Sequence, residues 1–147
     1  MKVCSLCSVE KGEDQFPRKR ANRSGWANWC KECHYRRVRE WKKNNPEKTK
    51  NIRLLHKFNI TLEQYRELLF VQNGVCAICK QEEVISRNGK VLQLSVDHDR
   101  RCCPGERSCG KCVRGLLCQY CNTALGLMKD DREILKKAIN YLERRKP

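Results

Sequence analysis

A chain of 147 residues has room for one domain or two small ones, not for a large buried core. It carries 32 Lys+Arg against 17 Asp+Glu, a formal net charge of +15, and no apolar run long enough for a signal peptide or a membrane span. That combination disfavours a secreted or membrane protein and favours a cytoplasmic one with a polyanionic partner, nucleic acid before membrane.

The charge is uneven: residues 1–57 hold 16 Lys+Arg and 6 Asp+Glu, net +10, whereas residues 58–147 hold 16 and 11, net +5. The 12 cysteines far exceed ordinary usage. Without export, disulfides are disfavoured. Most of the cysteines fall in Cys-x-x-Cys pairs, the spacing that puts two thiolates on one tetrahedral metal. They sort into three groups of four: Cys4, Cys7, Cys30 and Cys33; Cys76, Cys79, Cys118 and Cys121; Cys102, Cys103, Cys109 and Cys112. Structural zinc would give a small core the stability it lacks, about 10–16 kcal/mol of apparent binding energy per site.

In chain order, the first two knuckles, Cys4-Ser-Leu-Cys7 and Cys30-Lys-Glu-Cys33, make a zinc ribbon-like module over residues 1–34. Phe16, Trp26 and Trp29 supply its miniature core, with base stacking as the alternative. The basic cluster Arg18, Lys19, Arg20 and Arg23 suits phosphate contacts. His34 adjoins a complete thiol set and is read as a bystander. Tyr35, Val38 and Trp41 recur at helical spacing among basic residues. Asn44-Asn45 should end that helix, and Pro46 should open another reaching Leu55. Residues 35–57 thus read as a basic helical linker without a broad buried face.

Thr61-Leu62-Glu63-Gln64 has the form of a capping box. The stripe Leu62, Tyr65, Leu68 and Leu69 follows, with Gly74 placed to stop the helix. Arg87-Asn88-Gly89 is a turn signal. Leu92, Leu94 and Val96 alternate with Gln93, Ser95 and Asp97, which predicts a strand ending in Asp97-His98. Residues 113–117 can return antiparallel, and Cys118-x-x-Cys121-Asn122 opens a short helix through Leu125 to Met128. A last helix begins at Asp130-Asp131 and carries the stripe Ile134, Leu135, Ala138, Ile139 and Leu142, with Lys and Arg at its end. It should pack on the core or on a second subunit.

Two strands and a helix, with Asp-His late in the first strand and Asn at the helix start, resemble the ββα-metal arrangement of HNH (His-Me finger) nucleases. More closely, residues 61–142 resemble the recombination endonuclease VII family of phages. The residues that carry the resemblance are Cys76-x-x-Cys79, Val96-Asp97-His98-Asp99, Val113-Arg114-Gly115-Leu116-Leu117-Cys118 and Cys121-Asn122-x-Ala124-x-Gly126. The N-terminal module looks like a ribbon appended to many small phage and bacterial HNH proteins.

The resemblance implies a small zinc-stabilised α+β fold: a ββα-metal nuclease core with flanking helices over residues 58–147, preceded by the ribbon and the linker. It implies a metal-dependent DNA endonuclease with His98 as general base and with Asp97 and Asn122 as oxygen ligands of Mg²⁺ or another divalent cation. The zinc at Cys76, Cys79, Cys118 and Cys121 would be structural and would fix Asn122 opposite Asp97. Branched or structured DNA as substrate and a homodimer as working form are further implications. Two positions depart from the family: Arg100 stands where a second His is common, and Leu125 where an acidic residue is often found. Arg100, Arg101 and Arg114 are candidate phosphate ligands. For Cys102, Cys103, Cys109 and Cys112 a third zinc knuckle is the favoured reading; a disulfide, or three cysteines with another ligand, are the alternatives. The rival functions are a non-catalytic zinc-dependent DNA-binding or regulatory protein, and a simple nicking or restriction-type HNH nuclease.

Overall fold

In the computed structural model, which describes residues 1–105 and 107–144, the chain forms two units, Met1–Thr49 and Lys50–Pro147. In the first, strands β1 (Lys2–Val3) and β2 (Glu10–Lys11) pair antiparallel on either side of the first knuckle. The knuckle turns because Ser8 adopts a left-handed φ of 57° and its N–H reaches Cys4 O at 2.8 Å. The second knuckle runs directly into helix α1 (Lys31–Asn44), whose N-cap is Cys30. Phe16 is fully buried among Cys4, Cys30 and Cys33, with Trp26 and Trp29 packed around them, so the aromatics are core. Trp26 is fixed further by Nε1 donating to Glu13 at 3.0 Å and by the Arg18 guanidinium 3.8 Å from its ring centroid. Asn45 caps α1, and Pro46 opens α2 (Pro46–Phe58), where its missing N–H costs nothing.

In the second unit, α3 (Leu62–Val71) begins with the capping box in full: Thr61 Oγ1 accepts the Gln64 N–H, and the Gln64 side chain accepts the Thr61 N–H. The chain leaves this helix through Asn73 and Gly74 at positive φ, with Gly74 N–H on Leu69 O at 2.8 Å. Asn88 (φ 53°) and Gly89 (φ 72°) join β3 (Ser86–Arg87) to β4 (Lys90–Val91) in a two-residue hairpin. Next come β5 (Ser95–His98), β6 (Val113–Leu117), α4 (Gln119–Leu127) and α5 (Arg132–Glu143). The strands β5 and β6 pair antiparallel and α4 packs on both, which is the ββα arrangement.

The core of this unit gathers Leu54, Ile60, Leu62, Leu94, Val96, Leu116 and Leu117 with Cys76 and Cys118. Each such aliphatic side chain contributes about 1.5–3 kcal/mol relative to exposure. Tyr65 joins them and donates its hydroxyl to Leu94 O at 2.8 Å; burial raises its pKa, so it stays a donor.

Three features differ from the periodicity. The first ββα strand starts at Ser95 rather than Leu92, because its partner is only 5 residues long. Leu54, in the stretch read as a charged linker, is buried in the core. Helix α5 is capped by Asp131, which accepts the N–H groups of Glu133 and Ile134, yet it buries none of its described residues. Arg144 is its C-cap residue; Arg145 and Lys146, read as part of its basic end, lie outside the described residues. No described helix is long and apolar enough to cross a membrane.

Candidate functional site

The second cysteine tetrad ties the site together. The Sγ atoms of Cys76, Cys79, Cys118 and Cys121 lie within 4.8 Å of one another, and Cys79 and Cys118 are 3.8 Å apart. A tetrahedron with metal–sulfur bonds of about 2.3 Å has edges of about 3.8 Å. The four thiols therefore fit a soft tetrahedral cation such as zinc. Burial opposes ionisation of Cys76, but N–H groups of Cys118, Cys79 and Ile78 hold its thiol at about 6. Burial and the three facing sulfurs push Cys121 up to about 12. A divalent cation among the four sulfurs relieves that opposition.

Each arm of this tetrad leads to a strand or helix of the site. Ala77 N–H bonds Leu116 O at 3.0 Å, fastening the first knuckle to β6. Cys118 is the N-cap of α4 and accepts the Cys121 N–H on its sulfur; its carbonyl accepts the Asn122 N–H at 3.0 Å. Asn122 thus sits in the first turn of α4, and its side-chain amide makes no hydrogen bond among the described residues.

The strand pair is irregular between Asp97 and His98. Asp97 pairs with Gly115 and His98 with Val113, so Arg114 is an extra residue, a bulge on β6. Gly115 permits the close approach behind it: a Cβ there would stand 3.0 Å from Gln72 Oε1, which accepts the Leu116 N–H at 2.8 Å. The bulged Arg114 turns its fork onto Asp97, with Nε to Oδ2 at 2.6 Å and Nη2 to Oδ1 at 3.0 Å. Its Nη2 also reaches Asp130 at 3.2 Å, and Arg100 stands 3.8 Å from the same carboxylate. The side chains of Asp97 and Asp130 are 12% and 7% exposed, and their charges are balanced by these two guanidiniums. The Asp97 hydrogen bond, ahead of the opposing burial, raises the pKa of Arg114 further, so it is a fixed cation.

Asp97 and His98 open onto separate recesses, as neighbours on a strand do. Asp97 lines a recess of about 250 Å³ with Ala77, Leu117 and Leu125. His98 lines a cleft of about 710 Å³ with Arg53, His56, Lys57, Arg100, Pro104, Gly105 and Arg107. Its ring meets Phe58 edge-on at 5.9 Å, and its Nε2 is buried without a hydrogen-bond partner among the described residues. Arg114 fills two of the four lone-pair directions of the Asp97 carboxylate, leaving two. Those two suit a hard divalent cation that keeps most of its coordination for water and phosphate.

The other two tetrads have the same dimensions. Cys4, Cys7, Cys30 and Cys33 converge within 4.8 Å, as do Cys102, Cys103, Cys109 and Cys112. His34 is exposed beside the first set and is not one of its four. In the third set the sulfurs of Cys102 and Cys109 are 3.9 Å apart and those of Cys102 and Cys103 are 4.0 Å apart, and none of the twelve cysteines is in a disulfide. The loop that carries them starts at Asp99, whose carboxylate accepts the Arg101 N–H at 2.9 Å and is held below its ordinary pKa chiefly by that bond. Arg101 is 3.7 Å from the same carboxylate. In the other unit, Arg18, Lys19, Arg20 and Arg23 are exposed on the turn between the knuckles.

No local sequence signal places Asp130, Arg53, His56, Lys57 or Arg107 beside Asp97 and His98. Asp130 reads as a helix-start residue, and Arg53, His56 and Lys57 as part of the basic helical linker.

The family model for recombination endonuclease VII matches residues 51–144. The gene 59 protein of Mycobacterium phage D29 is 39% identical over 110 residues, covering 74% of this chain and 58% of that protein. The gene 59 protein of Mycobacterium phage L5 is 36% identical over 110 residues, covering 74% and 57%. The chain therefore spans little more than half the length of these relatives. Among solved structures, the ββα-Me type II restriction endonuclease Hpy99I aligns over 97% of this chain and 64% of its own, at 23% identity and a TM-score of 0.36.

Proposed function

Since the chain belongs to the recombination endonuclease VII family, we propose that it is a metal-dependent DNA endonuclease that hydrolyses phosphodiester bonds. The observation that carries this reading is the end of β5: Asp97-His98, paired with a bulged β6 and followed by Asn122 on a helix capped from a cysteine tetrad. His98 takes the proton of the attacking water, its ring oriented by Phe58. Asp97 and Asn122 hold a divalent cation, Mg²⁺ by the hardness of its donors. Such an ion, when bound, stabilises charge on the phosphate and acidifies water. Arg114 holds Asp97 in place. Arg100, on the cleft beside His98, meets phosphate oxygens, with Arg101 beside it on the same loop.

The three tetrads hold structural Zn²⁺. The working organisation is a zinc ribbon-like module over residues 1–34, a basic helical linker over 35–57 and the nuclease domain over 58–147. The exposed cluster Arg18, Lys19, Arg20 and Arg23 supplies further DNA contacts. Branched or structured DNA is the proposed substrate, the cytoplasm the proposed location and a homodimer the proposed working form. The apolar stripe of α5, with Ile139 and Leu142 exposed, suits burial against a second copy.

The test incubates supercoiled plasmid and a four-way junction with the protein in Mg²⁺ or EDTA, beside His98→Ala. Mg²⁺-dependent cutting that the variant loses, with zinc content and circular dichroism unchanged, supports the reading; undiminished cutting by the variant refutes the role of His98. One observation favours a non-catalytic DNA-binding protein instead: both oxygens of Asp97 are already engaged by Arg114. Binding without cutting, from protein with full zinc content, would decide for it.

A further inference from the structure

From its charge and construction, we infer that the cleft above His98 is a seat for the sugar-phosphate backbone of a nucleic-acid strand, and that the third cysteine tetrad builds its outer wall. The inference rests on the endonuclease reading and gives it a substrate path. Two segments face each other across the cleft: the end of α2, with Arg53, His56 and Lys57, and the loop after β5, with Arg100 and Arg107. Four of these five are Arg or Lys. None of the described lining residues is acidic, none is Phe, Tyr or Trp, and none is Asn or Gln. Such a lining can grip phosphates, but it has little to stack on bases and no amide or carboxylate to read their edges. Recognition here is therefore of backbone and indifferent to sequence.

The wall is built by the cysteines. Between 99 and 112 only Ser108 is buried among the described residues, so the loop has no apolar core of its own. It is joined to the end of α2 at positions beside the thiols. Ser108 N–H bonds Lys57 O at 2.8 Å, Asn59 Nδ2 donates to Cys109 O at 3.1 Å, and an Arg107 guanidinium nitrogen meets His56 Nε2. Gly110 lies at φ +85°, where a Cβ would stand 2.7 Å from Asn59 O, so only glycine allows the loop this close. Holding four thiolates on one ion therefore fixes where Arg107 stands against Arg53 and His56.

The test uses full-length protein in the His98→Ala background, so that DNA survives, and reads fluorescence anisotropy of a short labelled DNA duplex across a salt series. Arg53→Ala with Arg107→Ala should weaken binding at least ~10-fold and reduce the slope of log K against log salt by about two. Cys109→Ser should lose one zinc equivalent and weaken binding comparably, while Arg87→Ala, on the β3–β4 hairpin, should match the parent. The inference falls if the double variant keeps the parent's affinity and slope, if Arg87→Ala weakens binding as much, or if Cys109→Ser lacks one zinc and binds normally. Failure of the unmutated protein to cut plasmid would remove the endonuclease reading alone, since these binding arms do not depend on cleavage.

Discussion

The first and third cysteine tetrads hold their sulfurs within the same 4.8 Å but in opposite surroundings. Cys4, Cys30 and Cys33 are buried around a fully buried Phe16. Cys102 and Cys109 are exposed, and their loop is held by hydrogen bonds to Asp99 and to the end of α2. With metal bound, the first site would combine ligation with apolar burial, and the third would have ligation and polar ties alone. Ligand spacing therefore reports that a metal fits, while the side chains around it decide how much of the fold depends on that metal.

The second tetrad, which joins a core to a site, sets the upper limit of the comparison. Cys76→Ser removes a ligand that organises β6 and the start of α4. The forfeited share of about 10–16 kcal/mol of apparent metal energy should unfold the ββα region. Two-dimensional NMR would show its amide signals collapse, and a well-dispersed spectrum from a protein with full metal content would contradict this. Phe16→Ala should cost about 3–5 kcal/mol in the first unit, in line with large aromatic truncations, read as a lowered denaturation midpoint. If it costs under about 1 kcal/mol, the first site relies on its metal as fully as the third does.

A graded chelator titration sharpens the contrast. The third site should release its ion first, with helical circular dichroism retained while the first equivalent leaves. Simultaneous release of all ions with the helical signal would mean that the three sites are one cooperative structure. The smallest effect is at Ser108, whose hydroxyl lies 3.2 Å from Cys112 Sγ and accepts the Gly110 N–H at 3.1 Å. Ser108→Ala should lower metal affinity at the third site alone by about 10-fold, measured by competition with a chromophoric chelator.

Local chemistry was readable from the sequence wherever partners are close in the chain. Thr61 with Gln64, Asn88 with Gly89, and the knuckle pairs each specify geometry over a few residues, and each forms as expected. Asp97-His98 and Asn122 were readable as a pattern, since the ββα order fixes which elements carry them. Features that depend on distant partners were not. Arg114 meets Asp130 across 16 positions and Arg107 meets His56 across 51, and no periodicity encodes such pairs. Leu54 is buried because α2 continues into the second unit, which its charged neighbours conceal. The stripe of α5 shows that a face exists and is silent on what covers it.

The bond from Asp99 N–H to Cys112 O, at 3.0 Å, closes the cysteine-bearing loop at its base and continues the β5–β6 ladder outward. Its two ends are thus held together by the strands when the loop between them opens. In amide hydrogen exchange the molecule should divide at that bond. Amides of the loop exchange through a local opening set by the metal, and those of Val96 and Leu116 only when the whole unit opens. The loop is in that sense a separately melting appendage on the β5–β6 hairpin.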